Sequence, residues 1–217
     1  METKNRNEKE RRYAIEVEMR QDSDDKMTLE GYALKFNNPT LIGDEDYGYI
    51  EVIDSKALDQ TDMKKVPLKY NHENGYLAIA STKNESLLLT VDDVGLKFKA
   101  DLVDTQSNRD VYQMVKSGLI SECSFAFTID YANNGSEWLF PEDDKPVRTI
   151  KKIKRLFDVA LVDIPAYDNT EVYARSFEAL EDARKTLEDE EHRTDEIRAR
   201  MSIKIKLNME EKNEKIS

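Results

Sequence analysis

The stretch Glu122-Cys123-Ser124-Phe125-Ala126-Phe127-Thr128-Ile129 decides the fold. Its side chains alternate in size and polarity, and successive side chains of a β-strand point to opposite faces, so the pattern predicts a strand with two unlike faces. The apolar face would carry Cys123, Phe125, Phe127 and Ile129. The opposite face would carry Ser124, Ala126 and Thr128. Because these neighbours are small, we expect the serine hydroxyl to lie on an open face that a peptide can approach.

The segments on either side extend this pattern. Before the strand, Asn108 to Lys116 has apolar side chains at helical spacing behind a polar cap, and Gly118 ends the predicted helix. After it, Asn133-Asn134-Gly135 predicts a hairpin turn into a strand over Glu137 to Phe140. A last, long strand is predicted from about Arg148 to Ile164.

The first half of the chain also predicts short strands separated by polar turns. Alternation around Ile15 to Met19 predicts a strand that pairs in a hairpin with Thr28 to Phe36, and a short helix is predicted around Ser55 to Met63. Further strands are predicted at Val66 to Tyr70, Leu77 to Thr82, Ser86 to Thr90 and Gly95 to Leu102. Together the elements predict an α+β fold with a mainly antiparallel β-barrel or sheet core and a few short helices.

Charge divides the chain into three parts. Residues 1–12 are predicted to form a charged leader, and residues 13–175 a single folded domain. Residues 176–217 contain neither glycine nor proline and are dominated by charged side chains. This composition predicts a helical or disordered tail.

The composition argues against several functional classes. A net charge of -12, from 45 acidic and 33 basic residues, is opposite to the clustered positive charge that nucleic-acid binding requires. No apolar run is long enough to cross a membrane. A lone cysteine cannot form an internal disulfide, which fits an intracellular setting. With so few histidine and cysteine ligands we expect no metal site, and the serine chemistry argued below calls for no organic cofactor.

Two residues point to nucleophilic chemistry. His72 is the only histidine of the predicted domain, since the other, His192, lies in the charged tail. An imidazole titrates near neutral pH and can take the proton of a serine hydroxyl, which is a poor nucleophile on its own. The sequence therefore predicts that His72 acts as the base and Ser124 as the nucleophile.

A third group is needed to orient the imidazole. Asp158 is embedded in the apolar run Leu156 to Ile164, where a carboxylate is costly unless it is partnered. Asp158 is the first choice for the orienting acid, with Asp163 and Glu73 as alternatives. Cys123 is a second candidate nucleophile, but the alternation turns it into the core. Each of these residues, taken singly, also has an ordinary structural explanation.

Several blocks, in this order, resemble one known family. They are Glu30-Gly31-Tyr32-Ala33, Asn71-His72-Glu73, Gly95-Leu96, Gly118 to Ile120, Ser124-Phe125-Ala126-Phe127, Asp158-Val159 and Pro165-Ala166-Tyr167. Through them the chain resembles phage prohead proteases of the HK97 type, serine proteases whose fold is similar to herpesvirus assemblin. The resemblance implies the catalytic set His72, Ser124 and Asp158. The family commonly has glycine where Ala126 stands and serine where Ala160 stands.

The resemblance also implies a biological role. We expect a serine endopeptidase that cleaves scaffold protein, or the scaffold-like arm of the major capsid protein, during procapsid maturation, with cleavage of itself as well. It would act in the host cytoplasm inside the assembling procapsid, or as a prophage-encoded cytoplasmic protein. The similarity to assemblin further suggests a homodimer or higher oligomer. The alternative function is a non-catalytic scaffolding or assembly protein that works through the acidic tail.

Overall fold

The computed structural model describes residues 9–15, 17–18, 26–75, 77–163, 180–190, 192–194 and 196–198. The chain divides into two compact units, Met1–Tyr173 and Ala174–Ser217. The described residues of the second unit are helical. No helix among the described residues combines the length and the apolar character that a membrane span requires.

The first unit is built mainly from β-strands. The described strands are β1 (Glu10–Ile15), β2 (Val17–Glu18), β3 (Thr28–Lys35), β4 (Thr40–Ile42), β5 (Tyr49–Ile53), β6 (Pro67–Tyr70), β7 (Ala80–Ser81), β8 (Leu87–Val91), β9 (Gly95–Asp101), β10 (Glu122–Ile129), β11 (Ser136–Leu139), β12 (Val147–Ile150) and β13 (Ile153–Val162). One α-helix is described in this unit, α1 (Gln106–Lys116), with short 3₁₀ turns at Thr82–Asn84 and Tyr131–Asn133.

The strands form three sheets that share one core. A five-stranded sheet has the order β1-β10-β13-β6-β7, and two four-stranded sheets have the orders β11-β12-β5-β4 and β2-β3-β9-β8. The pairs β5–β12 and β6–β13 are parallel, and the other described pairs are antiparallel. Apolar side chains from all three sheets, including Phe98, Phe127 and Ile150, pack in a single cluster. The α+β class is confirmed, but the described strands do not close into a barrel.

The predicted leader overlaps the first described strand. Strand β1 begins at Glu10 and pairs with β10, so the boundary predicted after residue 12 falls inside a strand. After Ile15 the chain passes to a second sheet, where Val17 of β2 pairs with Gly31 of β3. The predicted first hairpin is therefore limited to β2 and β3, because β1 belongs to another sheet.

Two further predictions were wrong at turns. The region 55–60 is a series of turns instead of a helix: Ala57 N–H bonds Asp54 C=O and Thr61 N–H bonds Leu58 C=O, each three residues back. The segment around Gly135 joins two different sheets, because β11 pairs with β12 and not with β10. Gly135 is required there, since a Cβ would lie 2.6 Å from the Asp130 carbonyl oxygen.

The predicted last strand is two strands. Its first part, β12, belongs to a four-stranded sheet, and its second part, β13, lies in the five-stranded sheet. Between them, the N–H groups of Lys151 and Lys152 both donate to the Gly135 carbonyl, at 2.7 and 3.0 Å. This link closes the connection between the sheets and places β13 beside β10.

Candidate active site

Ser124 lies in β10, the second strand of the five-stranded sheet. In β10 it pairs with Ala160 of β13 on one side and with Tyr13 of β1 on the other. Cys123 and Phe125, on either side of it in sequence, join the hydrophobic core. The two-faced strand predicted from the alternation is therefore present, and Ser124 points away from that core.

Asp158 lies on the neighbouring strand β13, on the same face as Ser124 and next to a β-bulge. Ala126 pairs with Asp158 but Phe127 pairs with Leu156, so Phe157 is the extra residue in β13. Simple alternation along this segment would put Leu156 on the face of Asp158. The bulge reverses this, and Leu156 instead packs in the core.

His72 is delivered by a tight turn after β6. The Glu73 N–H donates to the Tyr70 carbonyl at 2.9 Å, and the two central residues, Asn71 and His72, have φ of 47° and 57°. Positive φ at both central positions is typical of a type I′ turn. Because β6 runs parallel beside β13 with Tyr70 opposite Leu161, the turn lies near the end of β13, and the imidazole of His72 reaches Asp158 from there.

The turn is fastened to the end of β13. The side-chain N–H of Asn71 donates to Asp163 Oδ1 at 2.9 Å, and its backbone N–H donates to the Leu161 carbonyl at 2.9 Å. The hydroxyl of Tyr70 donates to the other oxygen of Asp163. Asp163 was an alternative for the orienting acid, but it holds the turn instead, and Glu73 is exposed.

The structure brings His72, Ser124 and Asp158 into one hydrogen-bonded chain. Asp158 Oδ1 accepts from Nδ1 of His72, and the Ser124 hydroxyl donates to Nε2. An ionised carboxylate can only accept, so it fixes the proton on Nδ1 and leaves Nε2 free to receive the serine proton. This is the geometry that a serine nucleophile and its base require.

All three residues are buried. Ser124 is 0%, Asp158 1% and His72 4% exposed. The expected open face is therefore wrong: the His72 turn and the side chains of Lys9 and Lys69 lie over it. Access to the hydroxyl requires the residues over this face to move.

Electrostatics favour a neutral imidazole beside an ionised carboxylate. Burial, opposed by the hydrogen bond and charge of Asp158 and assisted by Arg11 and Lys9, holds the pKa of His72 below its usual value. Burial would raise the pKa of Asp158, but hydrogen bonds from His72 and Lys9 outweigh it and keep that pKa low. His72 is therefore ready to accept a proton at neutral pH.

Other chemistry is poorly supported at this site. Burial raises the pKa of the Cys123 thiol far above neutral pH, so this residue is not a ready nucleophile. Among the described residues, no group of three histidine, cysteine or carboxylate side chains could hold a metal ion. A further candidate from the sequence, the segment 165–168 as a source of oxyanion-binding N–H groups, lies outside the described residues.

Sequence reasoning missed Lys9, which was assigned to the leader. Its ammonium lies 2.6 Å from Asp158 Oδ2, and Lys69 lies 3.8 Å from the same oxygen. A lysine before a strand carries no signal of such a contact, because it depends on β1 pairing with β10. The fastening of Asn71 to Asp163 was also missed, since 92 residues separate them.

Comparison with known families agrees with the geometry. A family model described as Caudovirus prohead serine protease matches residues 14–183, a range that includes all three residues of the hydrogen-bonded chain. Comparisons with curated proteins and with solved structures give no match. The similarity to herpesvirus assemblin therefore stays a prediction.

Proposed function

Since the chain belongs to the Caudovirus prohead serine protease family, we propose that it is an endopeptidase in which Ser124, His72 and Asp158 form the catalytic triad. The observation that carries this proposal is the continuous hydrogen-bonded chain from the hydroxyl through the imidazole to the carboxylate. Family membership supports a serine protease of phage capsid maturation. The roles of the three residues are the proposed part.

The mechanism begins with the transfer of the Ser124 proton to Nε2 of His72 as Oγ attacks a peptide carbonyl carbon. The imidazolium is stabilised by Asp158 and then gives this proton to the leaving amine, so that the C–N bond breaks and an acyl-enzyme remains. Water, deprotonated by the same imidazole, hydrolyses the ester and restores the serine. Backbone N–H donors would have to stabilise the oxyanion in both halves of the reaction.

The proposed substrates are the scaffold protein or the scaffold-like arm of the major capsid protein, inside the procapsid in the host cytoplasm. Cleavage of the protease chain itself is proposed as a second reaction, and a homodimer or higher oligomer as the active assembly. Because Ser124 is buried, a substrate segment must displace the residues over the triad before it reaches the hydroxyl. This requirement would keep the free enzyme slow towards folded proteins.

The test is co-expression of the chain with its capsid and scaffold proteins, followed by intact-mass analysis of all three. The wild-type chain should produce fragments, and Ser124→Ala should produce none while keeping the circular dichroism of the wild type. Cys123→Ala is the matched control, because it removes the neighbouring sulfur from the core face and leaves the hydroxyl in place. It should still cleave.

Fragments that persist in the Ser124→Ala variant would refute the assignment of the nucleophile. If both variants and the wild type leave the capsid proteins uncut but assembly depends on residues 176–217, the alternative scaffolding function is correct.

A further inference from the structure

The carboxylate of Asp158 is held from both sides. Its Oδ1 bonds the imidazole, and its Oδ2 accepts from the Lys9 ammonium at 2.6 Å, with Lys69 3.8 Å away. Asp158 is almost completely buried, and a buried carboxylate with one oxygen unpartnered would be costly. Lys9 provides the second partner, and it comes from a different part of the chain than the triad residues.

Strand alternation explains why Lys9 reaches this face. Arg11 pairs with Ala126 and therefore shares the face of Ser124, and Lys9, two residues earlier in extended chain, follows it. Glu10 and Arg12 point to the other side. There they bond Arg148 and Glu51, which anchors the segment on which Lys9 sits.

Lys9 also packs against the β-bulge next to Asp158. Its ammonium lies 5.2 Å from the centre of the Phe157 ring, and Phe157 is the extra residue of that bulge. The contact joins a favourable cation–π interaction to the ion pair. The ammonium is therefore fixed between the carboxylate and the residue next to it.

We propose that Lys9 is a positioning residue of the triad, whose ammonium holds the outer oxygen of Asp158 so that the inner oxygen stays aligned with Nδ1 of His72. The inference rests on the proposed function. It goes beyond the family match, because residue 9 precedes the matched range 14–183.

The charge of Lys9 should also act on the imidazole. The described positive charges near the His72–Asp158 pair include Lys9 and Arg11 from the β1 segment and Lys69 from β6. All three are positive and disfavour the imidazolium. Removal of Lys9 should therefore raise the pKa of His72, and the acid limb of the pH–activity profile should move to higher pH.

The experiment measures the His72 titration by NMR of the imidazole nitrogens in the Ser124→Ala background, where no cleavage interferes. Lys9→Met should raise the pKa of His72 by roughly 0.5–1 unit, and Lys9→Arg should restore it. Lys9→Met with Lys69→Met should raise it further. Lys99→Met is the matched control: Lys99 is 39% exposed against 35% for Lys9, and it pairs with Glu30 in another sheet.

In the active chain, Lys9→Met should lower kcat by about tenfold, which is part of the roughly 10²–10⁴-fold rate enhancement that a positioned general base contributes. The acid limb of the pH–activity profile should move to higher pH by the same amount as the pKa of His72. An unchanged His72 titration in Lys9→Met would overturn the inference, whether or not the protein cleaves peptides. If Lys9→Met shifts the pKa of His72 as expected but no Ser124-dependent cleavage is found, the proposed function alone would be refuted. If Lys9→Met does not fold, Lys9→Gln serves in the same titration.

Discussion

At the scale of single residues, the site depends on a proton held in one position. Asp158 accepts from Nδ1 of His72, which leaves Nε2 to take the proton of Ser124. Burial would raise the pKa of the carboxylate, but the hydrogen bonds of His72 and Lys9 outweigh it and keep that pKa low. An acceptor-only group at this point selects one tautomer of the imidazole.

Asp158→Asn should therefore lower kcat much more than it changes substrate binding. The amide can donate a proton to Nδ1, which puts the imidazole in the tautomer that cannot accept from serine. We expect a loss of kcat of about 10³–10⁴-fold with KM changed little. Steady-state kinetics on a peptide substrate would measure it, and equal activity of the variant and the wild type would exclude Asp158 as the orienting acid.

The residues that carry the chemistry could be predicted from sequence because their types are rare in their surroundings. His72 is the one histidine of the first unit, and Asp158 is a carboxylate in an apolar strand. Their supporting contacts could not be predicted. Lys9 contacts Asp158 across 149 residues of chain, a pairing that depends on which sheet β1 joins.

At the scale of secondary-structure elements, two irregular features position the side chains of His72 and Asp158. The bulge at Phe157 places Leu156 in the core and Asp158 on the face of Ser124, and the turn after β6 places His72 on that same face. Neither feature can be predicted from the alternation of side chains. A bulge inserts one residue, so the side chains on the N-terminal side of it point to the opposite faces of the sheet from those that alternation predicts. The sequence pattern consequently located β10 well but misplaced Leu156 and the turns at 55–60 and 133–135.

The turn itself can be tested through Asn71, which has positive φ and whose side chain bonds Asp163. Asn71→Gly keeps the backbone conformation and loses the bond, so it should reduce kcat with little loss of stability. Asn71→Val adds a β-branched side chain to a left-handed position, which costs about 1–2 kcal/mol of unfolding free energy. Urea unfolding together with peptide cleavage would separate the two effects.

Unchanged stability of the Asn71→Val variant would contradict a left-handed backbone conformation at residue 71. Unchanged kcat in both variants would show that its attachment to Asp163 does not position His72.

At the scale of the whole first unit, a buried ionic network joins two sheets. Arg148 of β12 bonds Glu10 of β1 at 2.9 and 3.0 Å and Glu51 of β5 at 3.3 Å, and Arg12 bonds both carboxylates. Burial would raise the pKa of Glu10, but the two guanidinium groups outweigh it and lower that pKa to about 2. The network fixes the segment that carries Lys9 to the active site.

Arg148→Met should destabilise the protein by about 3–5 kcal/mol, because it leaves the two buried carboxylates of Glu10 and Glu51 with the single guanidinium of Arg12. The second substitution Glu51→Gln should recover part of this loss, since it leaves one carboxylate instead of two beside the remaining guanidinium. Chemical denaturation of the two single variants and the double variant would measure the coupling. Additive effects of the two substitutions would contradict a shared network.

In the proposed mechanism, His72 activates Ser124 for covalent chemistry. The most direct measurement is intact and peptide mass spectrometry after treatment with a small fluorophosphonate, which phosphonylates an activated serine and releases fluoride. We predict one adduct, located on Ser124, in the wild-type chain and none in His72→Ala. An adduct at another residue, or one that forms equally fast without His72, would show that His72 does not activate Ser124.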